Sequence, residues 1–515
     1  MTTPPGFKEA YQQYIEAGWT SLTQPEAYGG QNLPHSLGFA LGEMIGTANY
    51  AWSTYPGLGH GAMATLLEHG SDEQKSLYYK RLVSGEWTGT MCLTESHCGT
   101  DLGMLRTKAE PHDDGTYRLT GTKIFITCGE HDMAENIVHI VIARLAGAPT
   151  GTKGLSLFIV PKFLPNADGN PGERNGVSCG AIEHKMGIHG SATCVMNFDG
   201  ATGFMIGEPN KGMSYMFTFM NVARIGTGSQ GLMHAERGFQ GSLSGIKNPD
   251  GPADPIIVHP EVRKLLLTQK AIAEGSRALI YYTGTLADQA HQAEQTETRQ
   301  EADELLGLIT PIVKAFTTEL GFESANHGVQ VFGGHGYISE WGMEQNLRDC
   351  RIATLYEGTT QIQALDFIGR KVMMDQGAVL RKFTKIIHLF CKENADNPTL
   401  QPYVEKLAQL NKEWGVLTMQ IGMKAAENRD ELGAASVDYL MYAGYVTTAW
   451  LWARMVKTAQ EALDNGTTET DFYQAKIDTA NFYYRRILPR TNALAETMVS
   501  GADDLMTMQA DHFNF

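Results

Sequence analysis

Leu355-Tyr356-Glu357-Gly358-Thr359-Thr360-Gln361-Ile362 is the stretch from which the rest of the chain is read. A second string, Gln330-Val331-Phe332-Gly333-Gly334-His335-Gly336-Tyr337, lies just upstream. A carboxylate followed directly by glycine puts an acid on a backbone that can turn closely beneath a ligand. Shielded from water, a carboxylate becomes a stronger base, because desolvation penalises its charged form. Either string alone is a weak signal, since Tyr-Glu-Gly occurs on surfaces and Gly-rich runs are often plain turns. Their order and spacing together carry the weight.

Working outward, the residues from about 6 to 90 show a helical pattern. Gly70 ends one helix, and Ser71-Asp72-Glu73-Gln74 starts the next as a capping box. From about 91 to 205 the period changes. Tyr117-Arg-Leu-Thr-Gly-Thr-Lys-Ile-Phe-Ile-Thr127 alternates, and Ile137–Ile142, Leu155–Val160 and Cys194–Phe198 are β-branched or apolar runs of strand length. Several short strands with turn signals between them predict a small β barrel or sandwich. After about 212 the helical period returns, with bundle-length segments near 259–294, 301–329 and 343–374. A further block begins near 378. In it Leu407, Leu410, Trp414, Leu417 and Ile421 mark one buried helical face, which is core packing rather than chemistry. Stretches 164–177 and 245–256, rich in Pro, Gly, Asn and Asp, read as linkers.

These motifs and this layout resemble the acyl-CoA dehydrogenase family over roughly residues 6–375. The chain is most similar to the large bacterial type with an extra C-terminal helical domain, the group of 3-methylmercaptopropionyl-CoA and fatty acyl-CoA dehydrogenases. The resemblance implies an α+β fold in four parts: an N-terminal helical domain (1–90), a small β barrel (91–205), a helical bundle carrying the Glu (206–377) and an extra helical domain (378–515). It implies FAD-dependent α,β-dehydrogenation of an acyl-CoA thioester to the trans-2-enoyl-CoA, within fatty acid β-oxidation. Electrons would pass to an electron-transfer flavoprotein.

By the same resemblance Glu357 is the catalytic base, and its backbone N–H steadies the thioester oxygen as charge develops there. Met91-Cys92-Leu93-Thr94-Glu95 and His97-Cys98-Gly99-Thr100-Asp101 match the family's first signature. Met91, Leu93 and Thr94 then line the flavin, and Gly99 and Thr100 approach its pyrophosphate. Phe125-Ile126-Thr127 matches a segment that is usually Trp-Ile-Thr. Phe125 keeps an aromatic face without the indole N–H, so stacking alone carries over, with Thr127 beside it. Gln330, Gly333, Gly334, Thr359 and Gln361 touch the ADP part of FAD, some of them from a neighbouring subunit in a homodimer. Arg224, Tyr356 and Gly358 fall on the substrate side, Arg224 near the CoA phosphates; its bland alternative is a helix-surface ion pair.

Totals bound these expectations. The chain has 515 residues, 42% hydrophobic and 19% charged, long enough for several domains. Its 41 Lys+Arg against 57 Asp+Glu give a formal charge of −16, which argues against a nucleic-acid partner. The odd count of seven scattered Cys, none spaced CxxC, predicts thiols in a reducing, cytoplasmic compartment. No apolar run approaches about 20 residues, so no membrane span is expected. No secretory pattern opens the chain, and no peroxisomal address closes it. His97 with Cys98, and His184 with His189, fall short of a metal-ligand set, so no metal is expected. Lys185 and Arg348 read as structural ion-pair partners, and neither Glu183 nor Glu340 reads as a second base.

Two features depart from the family pattern. The chain opens at Gly6-Phe-Lys-Glu-Ala, which predicts an incomplete N-terminal helical domain. At Gly241-Ser-Leu-Ser244-Gly245-Ile-Lys-Asn-Pro-Asp-Gly251 the helix should continue into a Tyr-Ala-x-x-Arg-x-Gln stretch, which is absent. That absence predicts a break between Ser244 and Gly245. The acyl group stays open between a fatty chain and 3-methylthiopropanoyl. An oxidase and a non-catalytic flavoprotein scaffold are the competing classes.

Overall fold

The computed structural model describes residues 1–245 and 254–514. The helices are α1 (Phe7–Glu16), α2 (His35–Ala48), α3 (Tyr50–His69), α4 (Asp72–Gln74), α5 (Lys80–Ser84), α6 (Gly212–Gly245), α7 (Pro260–Gln292), α8 (Thr296–Phe332), α9 (Met343–Arg351), α10 (Thr360–Leu365), α11 (Ala378–Glu393), α12 (Gln401–Glu427), α13 (Asp430–Asp464), α14 (Thr470–Phe482), α15 (Arg490–Thr497) and α16 (Asp503–Met506). The strands are β1 (Trp87–Cys92), β2 (Lys108–Pro111), β3 (Tyr117–Thr127), β4 (Asn136–Leu145), β5 (Leu155–Pro161), β6 (Phe163–Pro165), β7 (Pro171–Arg174), β8 (Val177–Ile182) and β9 (Thr193–Ile206). They form two compact units, Met1–Gly226 and Thr227–Phe515.

In the first unit, α3 ends at Gly70 and α4 begins with the expected box: the Ser71 hydroxyl accepts from the Gln74 N–H, and the Gln74 side chain accepts from the Ser71 N–H. The sheet follows the order β1-β4-β2-β3-β9-β5, and β5 pairs back to β4. The ladder from β4 round to β5 therefore closes into a barrel, which leaves no bare edge along that ring. It holds an apolar cluster in which Ala109, Leu119, Val141, Phe158, Val160, Cys194 and Phe198 are all buried. The stretch 164–177 is not a linker. Asn166 O accepts from Gly169 N–H only as a turn, and the Asn166 side chain accepts from the Asp168 and Asn170 N–H groups, closing a β6–β7 hairpin in which Pro165 faces Pro171. The Asn, Asp and Gly that read as linker composition are here turn chemistry.

The second unit is helical. Leu407, Leu410, Trp414, Leu417 and Ile421 on α12 are all buried, as the period required. Within this unit α14 and α15 are tied to the long helices by ion pairs: Lys476 to Glu274 on α7 at 2.9 Å, and Arg490 to Glu323 on α8 at 2.6 Å. The segment starting at α8, Thr296–Tyr337, is long and apolar enough to cross a membrane by composition, but 78% of that window is buried inside the fold. It is a core helix by that measure.

Two further expectations are corrected. The segment 343–374 is not one helix: α9 stops at Arg351, a turn covers 355–359, and α10 restarts at Thr360 before a wider π-type stretch, Asp366–Met373. The cause is local, since Glu357 and Gly358 both take positive φ, 58° and 89°. Nor does α6 break at Ser244; its helical backbone passes through both Ser244 and Gly245. The rest of the expected linker, 246–253, lies outside the described residues.

Candidate active site

The first unit gathers the residues expected to meet the flavin. Met91 lies on β1, and Leu93 and Thr94 follow it directly. Two bonds tie this strand end to β3: the Ile124 N–H donates to the Thr94 carbonyl at 2.9 Å, and the Lys123 ammonium donates to the Leu93 carbonyl at 2.9 Å. A Cβ placed on Gly99 would stand 3.5 Å from the Thr94 methyl, so Gly99 sits beside Thr94, with Thr100 next to it in the chain. Phe125 falls where the β3–β9 register slips between Lys123 and Ile126, and it takes φ 59°. A bulge of this kind re-aims a side chain. Here it leaves the Phe125 ring 60% exposed, an unusual place for a large aromatic side chain. Thr127 ends the strand.

Beneath these residues lies a buried ion pair that the sequence did not flag. Lys123 is fully buried and meets the Glu95 carboxylate at 3.0 Å. Glu95 also accepts from the Thr107 N–H and hydroxyl and from the Arg106 N–H. Burial pushes the Glu95 carboxyl up, but the Lys123 ammonium and these donors outweigh it and hold the group below the usual carboxylate range. Glu95, His97 and Cys98 bring ligand-type atoms within 4.8 Å of one another. Glu95 already accepts four hydrogen bonds, three of them on Oε1.

In the second unit the turn 355–359 is built from residues on three helices. The Tyr356 hydroxyl donates to Gln230 Oε1 on α6. Buried Gln363 on α10 donates to the Glu357 carbonyl at 2.9 Å. Lys314, fully buried on α8, donates to the Gly358 carbonyl at 2.6 Å. Thr359 caps α10, its hydroxyl accepting from the Ile362 N–H. Thr360 donates to Glu319 on α8. Glu357 itself is half-buried. A Cβ on Gly358 would come within 2.5 Å of the Gln363 amide nitrogen, and φ 89° is itself glycine territory.

Gln330 is exposed near the end of α8, and Gly333 (φ 58°) and Gly334 follow it with open space where a side chain would be. Gln361 is exposed on α10. No described hydrogen bond joins the set Gln330, Gly333 and Gly334 to the set Thr359 and Gln361. Arg224 is buried in α6 with its guanidinium 5.8 Å from the Phe217 ring, so it is not a helix-surface residue. Arg348 pairs with Glu344 through two bonds, as expected, while Lys185 donates to the Ser191 carbonyl. All seven cysteines are free thiols.

Family profiles match along the chain: "Acyl-CoA dehydrogenase, N-terminal domain" over residues 2–86, "middle domain" over 90–201, "C-terminal domain" over 210–373, and "Acetyl-CoA dehydrogenase C-terminal like" over 383–509. The 3-methylmercaptopropionyl-CoA dehydrogenase of Ruegeria pomeroyi is 41% identical over 98% of this chain and 88% of its own length. This chain belongs to the acyl-CoA dehydrogenase family. It is an oxidoreductase by that membership. The broad-specificity linear acyl-CoA dehydrogenase FadE5 of Mycobacterium tuberculosis is 37% identical over 99% of the chain and 88% of its own length. Among solved structures, an acyl-CoA dehydrogenase of Bacillus anthracis shares the fold with a TM-score of 0.80 at 23% identity, covering 97% of this chain and 84% of that one.

Proposed function

We propose that this protein removes the α proton and the β hydride of an acyl-CoA thioester, giving the trans-2-enoyl-CoA, with Glu357 as the base. One observation carries this reading above the rest. Glu357 is held in a left-handed backbone conformation that costs about 1–2 kcal/mol, in a turn anchored by buried side chains. Strain kept in place by its surroundings is common at active sites, and here it falls on the one carboxylate of the turn. The α proton goes to the Glu357 carboxylate. The Glu357 N–H donates to the thioester oxygen as negative charge builds there. FAD, when bound, supplies the acceptor for the β hydride.

The residues present fit that cofactor. Exposed Phe125 offers a ring face for stacking, and Met91, Leu93, Thr94 and Thr127 would line the flavin with it. Gly99 and Thr100 lie next to them for the pyrophosphate. Gly333 and Gly334 leave an open backbone edge, with Gln330 nearby, for the ADP part, and Thr359 and Gln361 would serve it too. Tyr356 and Gly358 would border the substrate, and Arg224 would serve the CoA phosphates. A homodimer, an electron-transfer flavoprotein as acceptor, a cytoplasmic setting and a role in fatty acid β-oxidation complete the reading. A second substrate class, 3-methylthiopropanoyl-CoA, is favoured by the 41% identity to the Ruegeria pomeroyi enzyme.

An anaerobic spectral titration of the FAD-loaded protein tests both points. Acyl-CoAs from short to long, with 3-methylthiopropanoyl-CoA among them, should bleach the oxidised flavin for one class. Glu357→Gln should slow bleaching by about 10²–10⁴-fold while keeping FAD. Native-rate bleaching in that variant removes Glu357 from the role. No bleaching by any thioester moves the protein to a binding or scaffold role.

A further inference from the structure

We infer that Lys314 is a positioning residue for the reaction, holding the peptide after Gly358, and with it the turn that carries the base, in its working orientation; this rests on the reading of Glu357 above. The turn 355–359 has no secondary-structure ladder of its own. Its two central carbonyls are fixed from outside: Gln363 donates to the carbonyl of Glu357 at 2.9 Å, and Lys314 donates to the carbonyl of Gly358 at 2.6 Å. Both donors are fully buried, so neither bond competes with bulk water.

Two features make the Lys314 bond decisive rather than incidental. First, Gly358 sits at φ 89°, and glycine alone accepts both signs of φ with little penalty. Nothing intrinsic to the chain then stops the 358–359 peptide from flipping. In a trans peptide C=O and N–H point opposite ways, so a donor on the Gly358 carbonyl fixes the Thr359 N–H as well. Second, Glu357 is itself at φ 58°, a conformation it would leave if its neighbour let go. Loss of the hold on the 358–359 peptide therefore loosens the turn that presents the Glu357 carboxylate.

Helix α8 supplies more than one hold on this turn. Glu319, five residues after Lys314, accepts from the Thr360 hydroxyl on the far side of Gly358. Lysine is suited to the task at Gly358. Its nitrogen reaches the Gly358 carbonyl from a long side chain, and a buried donor left without its acceptor is costly. Methionine has nearly the same shape and length but donates nothing.

The test compares Lys314→Met, Glu357→Gln and the double variant, each loaded with FAD. Lys314→Met is expected to cut the limiting bleaching rate about tenfold to a hundredfold, with the half-saturating acyl-CoA concentration and the FAD content unchanged. Amide hydrogen exchange over residues 352–364 should rise in the same variant, a readout independent of turnover. In the double variant Lys314→Met should add nothing to the loss from Glu357→Gln, because it acts through a base already removed. Native rate and native exchange in Lys314→Met overturn the inference, as does an equal further loss in the double variant. Native-rate bleaching by Glu357→Gln overturns the reading of the base instead, and no result with Lys314→Met alone can mimic it. Should Lys314→Met fail to fold, Gln363→Leu decides, since it removes the other carbonyl anchor: a slower limiting rate with faster exchange supports the latch, and a native rate overturns it.

Discussion

Phe125 and Glu357 sit at almost the same backbone angle, φ 59° and φ 58°, and each stands where a regular element breaks. They are held there in different ways. The Phe125 segment lies on a barrel strand, and its anchor is the fully buried Lys123, which bonds the Leu93 carbonyl and pairs with Glu95. The Glu357 turn lies between helices, and its anchors, Lys314 and Gln363, bond main-chain carbonyls directly. The first arrangement depends on an ion pair whose loss strands a buried charge. The second depends on single hydrogen bonds to a glycine-containing turn. Breaking the first should cost the fold, and breaking the second should cost the chemistry.

The largest effect follows from that contrast. Lys123→Met leaves the Glu95 carboxylate buried without its ammonium, and the barrel should lose about 3–5 kcal/mol. Urea unfolding monitored by circular dichroism measures it. Lys314→Met should cost the fold far less and the rate far more. Equal destabilisation by the two substitutions would erase the distinction between the two turns.

The two turns were not equally legible in the sequence. Their key residues came from motif strings, and β3 was visible from its alternation, down to its limits at Tyr117 and Thr127. The anchors were not visible. Lys314 occurs once in the apolar run Thr310-Pro-Ile-Val-Lys-Ala-Phe316, where period alone does not say whether a lysine snorkels outward or points in. Lys123 sits in an alternating strand, and only barrel closure puts its side chain inside. The break at 355–359 was hidden for a related reason. Helical spacing continues on both sides of it, and what interrupts the helix is backbone angle, which hydrophobic period does not encode. The β6–β7 hairpin was misread because the same residues make linkers and tight turns, and only pairing tells them apart.

A middle-sized effect concerns acid. Two histidines are buried neutral in the first unit, His139 on β4 and His131 in the loop before it: burial pulls His131 down to about 4 and His139 down to about 3. His139 bonds the Thr90 hydroxyl on β1, just before Leu93. In the unfolded chain both take a proton near pH 6.5, so their contribution is present above that pH and is lost as pH falls toward 4 and then 3. By pH 5 each should have cost about 2 kcal/mol. Gln363, which holds the Glu357 carbonyl, does not titrate. Hydrogen exchange, corrected for intrinsic rate, should therefore rise over 117–127 before it rises over 352–364 as pH drops from 7 to 5. His139→Gln should flatten part of that response. The reverse order of loosening would mean that these histidines are not what limits the Phe125 segment.

The smallest effect is the most pointed, because its sign in stability should oppose its sign in function. Phe125 is 60% exposed, so truncating it forfeits little packing. Replacing it with glycine relieves a left-handed residue, a gain of about 1–2 kcal/mol, against about 0.5–1 kcal/mol for the added freedom of the unfolded chain. The net expectation for Phe125→Gly is a barrel more stable by about 0.5 kcal/mol. Glu357→Gly has no such simple reading, because the residue lost is the proposed base. If the Phe125 ring is held out to stack on a flavin, the same variant should bind FAD more weakly, by about tenfold for a loss of about 1.4 kcal/mol of aromatic contact. Fluorescence titration of FAD and thermal unfolding of the protein without it read the two signs separately. A variant that is both less stable and unchanged in FAD affinity would mean that the ring serves the barrel and that the strain at Phe125 has no ligand to answer to.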